Sequence, residues 1–204
     1  MTNEGMLELD DMRSRCFDPY YSIYELMAQG FALPDKNTTV KLVSFRKTWN
    51  LGSLIAMICE DETIEELHAS TYRIGTNIAN LLNGLSAQGR ISPHCTFLLH
   101  PNQASSLHGH KNVFLSVAET NGWKYYFSRN HSKVLLFRTD KGNNYVIETS
   151  ANLNDLPNVE IYSVSNDASL FAFYVKWVFD YNIEHNQAGY ADNDETPDWW
   201  TGDE

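Results

Sequence analysis

The sequence predicts an α/β domain with a mixed, largely parallel β-sheet, and three features carry that expectation. A strand-like, a helix-like and a second strand-like segment follow one another between residues 64 and 100, the order of a right-handed parallel crossover. Two apolar runs, VLLFR and NYVIET, flank a polar turn and read as a hairpin. With 204 residues, 43% hydrophobic and 13% aromatic, the chain can bury one sizeable core.

Taken in order, residues 21–30 (YSIYELMAQG) read as a short helix closed by Gly30. VKLVSFR (40–46) alternates as a half-buried strand does, and SLIAMICED (53–61) reads as a short buried helix. IEELHASTYRIG (64–75) is a strand entering a turn. TNIANLLNGLSAQGR (76–90) is a helix with Thr76 as its expected cap, Ile78, Leu81, Leu82 and Leu85 as its apolar stripe and Gly89 as its stop. ISPHCTFLLH (91–100) is the next strand, PNQASSLHGHKN a loop, and VFLSVAETNG a helix. GWKYYFSRN precedes the hairpin, VEIYSVSND (159–167) is a further strand, and ASLFAFYVKWVFDYNIEH is a long apolar helix that buries more than one side.

Charge divides the chain into three parts: an acidic segment, 1–20; a domain, 21–185; and an acidic tail, 186–204. The net charge of -11 belongs to the ends, because residues 21–179 carry as many bases as acids. Around the hairpin the balance turns positive: Lys124, Arg129, Lys133, Arg138 and Lys141 meet only Asp140 between 121 and 141, a pattern suited to a polyanion. No apolar run reaches the roughly 18 residues of a membrane span, and the acidic start lacks a signal core. Cys16, Cys59 and Cys95 lack metal or redox spacing and fit reduced thiols. The expectation is therefore a cytoplasmic protein without membrane contact.

The chemistry concentrates between His131 and Glu160. His131 and Lys133 are two apart, as are Ser150 and Asn152, so on paired strands each pair points one way and the two pairs meet. An imidazole, an ammonium, a hydroxyl and a carboxamide suit a tetrahedral phosphate, which needs a nucleophile and several donors. Arg129, Arg138 and the loop residues His108 and His110 are candidate substrate contacts. As metal ligands the two loop histidines are weak, since no Cys or carboxylate stands at ligand spacing. His68, His94 and His100, in or beside apolar runs, are expected to be structural.

These residues resemble the phospholipase D superfamily motif, H-x-K-x4-D-x6-G-S-x-N followed by an acid, at His131, Lys133, Ser150, Asn152 and Glu160. Arg138 stands where that pattern has Asp, Thr149 where it has Gly, and the His-to-Ser spacing is four residues longer. The resemblance implies a sheet flanked by helices on both faces. It also implies a metal-independent phosphodiesterase, a nuclease working through a phosphohistidine on His131 without a cofactor. Lys133 and Asn152 would hold the non-bridging oxygens, Ser150 would add a hydrogen bond, and Glu160 would orient the imidazole. One histidine does not readily serve as both nucleophile and leaving-group acid, and the chain holds no second motif. A homodimer sharing one active site between two copies of His131 follows. Small single-motif relatives of phage and bacteria are similar. The alternative is a catalytically impaired module that binds nucleic acid or a protein partner, its acidic tail occupying the basic groove.

Overall fold

The computed structural model of the chain describes residues 22–28, 30–44, 49–101, 113–154 and 158–186. Seven strands form one sheet: β1 (Thr39–Ser44), β2 (Ile64–Thr71), β3 (Cys95–Leu99), β4 (Lys124–Phe127), β5 (Val134–Thr139), β6 (Asn144–Thr149) and β7 (Glu160–Asn166). Their order across the sheet is β1-β7-β6-β5-β2-β3-β4.

The sheet is mixed, as expected, but mostly antiparallel. Only β2 with β3 and β3 with β4 run parallel; the other four pairings are antiparallel. The reason lies in the connections. The two parallel pairs are joined through helices α3 (Thr76–Ala87) and α4 (Val113–Asn121), long enough to cross over. Residues 128–133, between β4 and β5, contain no helix, so β5 must start at the end where β4 stops and run back along β2. The same short linker therefore passes across the ends of β3 and β2.

Side chains of alternate strand residues enter two cores, one on each face. On one face Leu67, Ala69, Phe97, Leu99, Leu135, Phe137 and Ile147 pack with α2 (Leu51–Asp61), α3 and α4. On the other, Leu98, Val134, Leu136 and Val146 meet Phe171 and Phe179. These two rings belong to one continuous helical run: α5 (Ala168–Tyr174), a π-helical stretch (Val175–Asp180) and α6 (Tyr181–Asn186). The wider turn returns Phe179 to the face that Phe171 opened, leaving Phe173, Trp177 and Tyr181 about half exposed. Helices thus cover both faces, and the short α1 (Ile23–Ala28) precedes β1. No described helix is long and apolar enough to cross a membrane.

Caps differ locally from expectation. Helix α2 starts at Leu51 because Asn50 caps it: Oδ1 accepts from Ser53 N at 3.1 Å, while Asn50 N donates to Ser53 Oγ at 3.3 Å. A Cβ on Gly52 would lie 2.6 Å from Ile78 Cδ1, so glycine lets α2 approach α3. Thr76 is the first helical residue of α3 rather than its cap, which is Gly75 without a side-chain bond. Gly89, at φ 72°, ends that helix region as expected. Cys59 and Cys95 are free and buried, and burial pushes their thiols up to about 11 and about 12, away from reactivity.

Candidate active site

The β5–β6 hairpin pairs Val134 with Glu148, and Thr149 N extends the ladder by donating to Lys133 O at 3.1 Å. His131 and Lys133 thus lie just before β5, and Ser150 and Asn152 just after β6, rather than within the strands. Both pairs lie at the same end of the sheet, where the parallel strands β2 and β3 finish. Ser150 is exposed, Ala151 and Leu153 are buried, and Asn152 is half-buried, so alternation persists past the strand and keeps Ser150 and Asn152 outward. Leu153 anchors this segment: it bridges to Ile74, and its carbonyl accepts from Gly75 N at 2.7 Å.

His131 is exposed, and its Nδ1 lies 3.3 Å from Lys133 Nζ; the same ammonium donates to His131 O at 3.2 Å. An ammonium has no acceptor, so this contact requires Nδ1 to be unprotonated. Within this chain Glu160 is bonded to Ser150, not to the imidazole. It accepts from Ser150 Oγ at 2.5 Å, and Ser150 Oγ in turn accepts from Ile161 N at 3.1 Å, because β7 begins beside the end of β6. Thr71 Oγ1 donates to Asn152 Oδ1 at 3.4 Å, which leaves Asn152 Nδ2 as a donor.

The backbone around His131 has its own support. Asn130 Nδ2 donates to the buried Ser70 Oγ at 2.6 Å, Ser70 and Ser132 hydroxyls meet at 2.6 Å, and Asn130 Oδ1 accepts from Ser132 N and Oγ at 2.8 and 2.6 Å. The residues on either side of His131 are therefore tied to the last turn of the pleat in β2. Sequence reasoning missed Ser70, Asn130 and Ser132, since hydroxyls and amides in a linker carry no pattern until a partner strand is known.

His100 was also missed as a site residue. It follows β3 directly, its ring 4.4 Å from that of Tyr72, which is 5.7 Å from His131. Desolvation, then the electrostatic influence of neighbouring His131 and Arg129, holds the His100 imidazole below its usual range. Its position after a parallel strand was the available signal, because ligand sites gather at carboxyl ends of such strands.

The fold splits the basic cluster. Arg129 and Lys133 are at the His131 end, joined by the exposed Arg73. Lys124, Arg138 and Lys141 are at the opposite end. Arg138 is seven extended residues from His131, roughly 20 Å away. It pairs with Glu66 at 2.6 Å and lies 4.9 Å over the Phe171 ring, so it is not a contact for a phosphate at His131. Asp140 is also at that end, where it accepts from Thr63 N at 2.9 Å. A groove of about 770 Å³ opens there beside Glu66, His68, Lys124 and Arg138, away from the motif. Thr149 needs no glycine, since Asn37 alone among described non-glycine residues has positive φ. His108 and His110 lie outside the described residues.

The mixed sheet with helices on both faces, and the motif at the ends of its central strands, define a phospholipase D-like fold. The phospholipase D family member Nuc from Salmonella typhimurium is similar at a TM-score of 0.50 and 13% identity, over 68% of this chain and 90% of that one. The polyphosphate kinase from Porphyromonas gingivalis is similar at 0.50 and 12% identity, over 70% of this chain and 26% of that one. No protein-family model matches the chain, and no curated protein sequence does.

Proposed function

We propose that the protein is a metal-independent phosphodiesterase, a nuclease acting through a phosphohistidine on His131. What supports this reading is that His131, Lys133, Ser150 and Asn152 lie at one end of the sheet in a phospholipase D-like fold. His131 Nε2 attacks phosphorus and expels one ester oxygen; water then cleaves the phosphohistidine. A phosphate entering the site draws Lys133 Nζ from His131 Nδ1 to a non-bridging oxygen, and Nδ1 takes the proton that frees Nε2. Asn152 Nδ2 donates to a second oxygen as charge grows there. Glu160 acts on Ser150, fixing its hydroxyl, instead of on the imidazole.

The leaving oxygen needs a proton, which in this reading comes from His131 of a second copy. An isologous contact is supported by Val43 and Ile161, a cross-strand pair left 42% and 58% exposed, and by Val159 at 57%, all near Glu160. The nucleic-acid substrate and the cytoplasmic setting are part of the same proposal, supported by Arg73, Arg129 and Lys133 around the motif.

The test is hydrolysis of bis(p-nitrophenyl) phosphate and of DNA in chelator, with His131→Ala as control. Loss of turnover and of an acid-labile phosphoryl label in the variant is expected; equal turnover would falsify the assignment. Ile161→Asp is expected to give monomers with impaired turnover, read by sedimentation. A second reading, a catalytically impaired module that binds nucleic acid or a protein, is favoured by one observation. Lys133, rather than a carboxylate, faces His131 Nδ1, an arrangement that lowers nucleophilicity. Binding of DNA without turnover by the dimer selects it.

A further inference from the structure

Four residues stand in a row across neighbouring strands at the motif end. His131 precedes β5, Tyr72 follows β2, His100 follows β3, and Arg129 is the second residue after β4. Strands are about 4.8 Å apart, so the row extends about 14 Å from the nucleophile toward the β4 edge. Its middle is aromatic: the Tyr72 and His100 rings lie 4.4 Å apart with only 30° between their planes, and both are half-buried. Its far end is the exposed guanidinium of Arg129, and Arg73 follows Tyr72. The order of the groups matches a polymer in which charged groups and flat rings occur together along the strand. A bilayer headgroup or a small phosphodiester would use the His131 end alone.

We propose that Tyr72 and His100 form a stacking wall for the unpaired base beside the phosphate at His131, with Arg129 at a phosphate further along the strand, so that the ligand is single-stranded nucleic acid. This rests on His131 marking the phosphate position. Every base offers a π-face to such a wall, whereas a paired base in a duplex has both faces occupied by its neighbours. The cation at the end of the row adds a sequence-independent, salt-sensitive contact.

The experiment measures fluorescence anisotropy of a short labelled oligothymidylate in chelator, beside an abasic oligomer of equal length and a duplex. Tyr72→Leu keeps apolar bulk without the ring and is expected to weaken oligothymidylate binding about tenfold, His100→Asn by a similar factor, and Tyr72→Phe hardly at all. Neither ring variant is expected to change binding of the abasic oligomer. Arg129→Gln is expected to weaken both single strands and reduce the salt slope by about one. The proposal is overturned if wild-type protein binds no oligothymidylate, binds the abasic oligomer or the duplex as tightly, or is unaffected by both ring variants. A phosphodiesterase reading that fails shows separately, as turnover of bis(p-nitrophenyl) phosphate indifferent to His131→Ala.

Discussion

The two ends of the sheet are built on opposite plans. At the hairpin-turn end, polar groups are consumed by one another. Buried Glu62, just past α2, accepts from Thr139 Oγ1, from Asn143 Nδ2 at 3.0 and 2.9 Å and from Tyr145 OH at 3.0 Å. Burial, with Glu62 beside it, raises the Tyr145 phenol far above its ordinary range, so it stays a donor. Glu66 is shared between Arg138 and His68 Nε2 at 2.6 and 2.7 Å. At the motif end, His131 is exposed and among the described residues meets Lys133 and Tyr72 by side chain, while its flanking residues are the ones fastened down. One end spends its polar groups on cohesion; the other holds donors in place but available.

Four substitutions test that division. The largest effect is expected from His131→Ala: turnover falls at least about a thousandfold while the urea midpoint is nearly unmoved. Glu62→Ala, at the other end, is expected to lose about 2–4 kcal/mol in urea unfolding, since the buried Thr139 and Tyr145 and the half-buried Asn143 lose their acceptor, with turnover per folded molecule unchanged. Equal activity losses from both would erase the contrast. Ser70→Ala removes the seat under Asn130 and Ser132. It is expected to lower kcat about tenfold and KM little, because His131 loses alignment. Arg138→Ala is expected to cost less than about 1 kcal/mol, the exposed ion pair being worth little, and to leave turnover and DNA binding alone. A DNA-binding defect there would return Arg138 to the site.

A pH dependence is the smallest effect. The folded pKa of His100 lies below the ordinary value of 6.5, so the unfolded chain binds its proton first as pH falls. Stability contributed by this residue is therefore present above about pH 6.5 and declines as pH drops through that value toward the folded one. His100→Gln is expected to flatten this decline in thermal unfolding between pH 7.5 and about 5. An unchanged slope would show that burial and the neighbours His131 and Arg129 do not depress the His100 imidazole.

The amino-acid order alone determined the helices and strands that alternate cleanly, and the joint spacing of His131, Lys133, Ser150 and Asn152, because side-chain period is a local property. Pairing direction was not local: β5 runs against β2 because six residues without a helix leave no room for a crossover, and that made a largely parallel sheet a mostly antiparallel one. The same linker decided which charges share a site. Lys124, Arg129, Lys133, Arg138 and Lys141 are neighbours in the chain, yet a strand about 17 Å long carries Arg138 and Lys141 to the other end. Tyr72 and His100, far apart in the chain, became neighbours because adjacent parallel strands end together. Sequence spacing fixes which residues face one way along a strand. Only strand order fixes which strand ends meet.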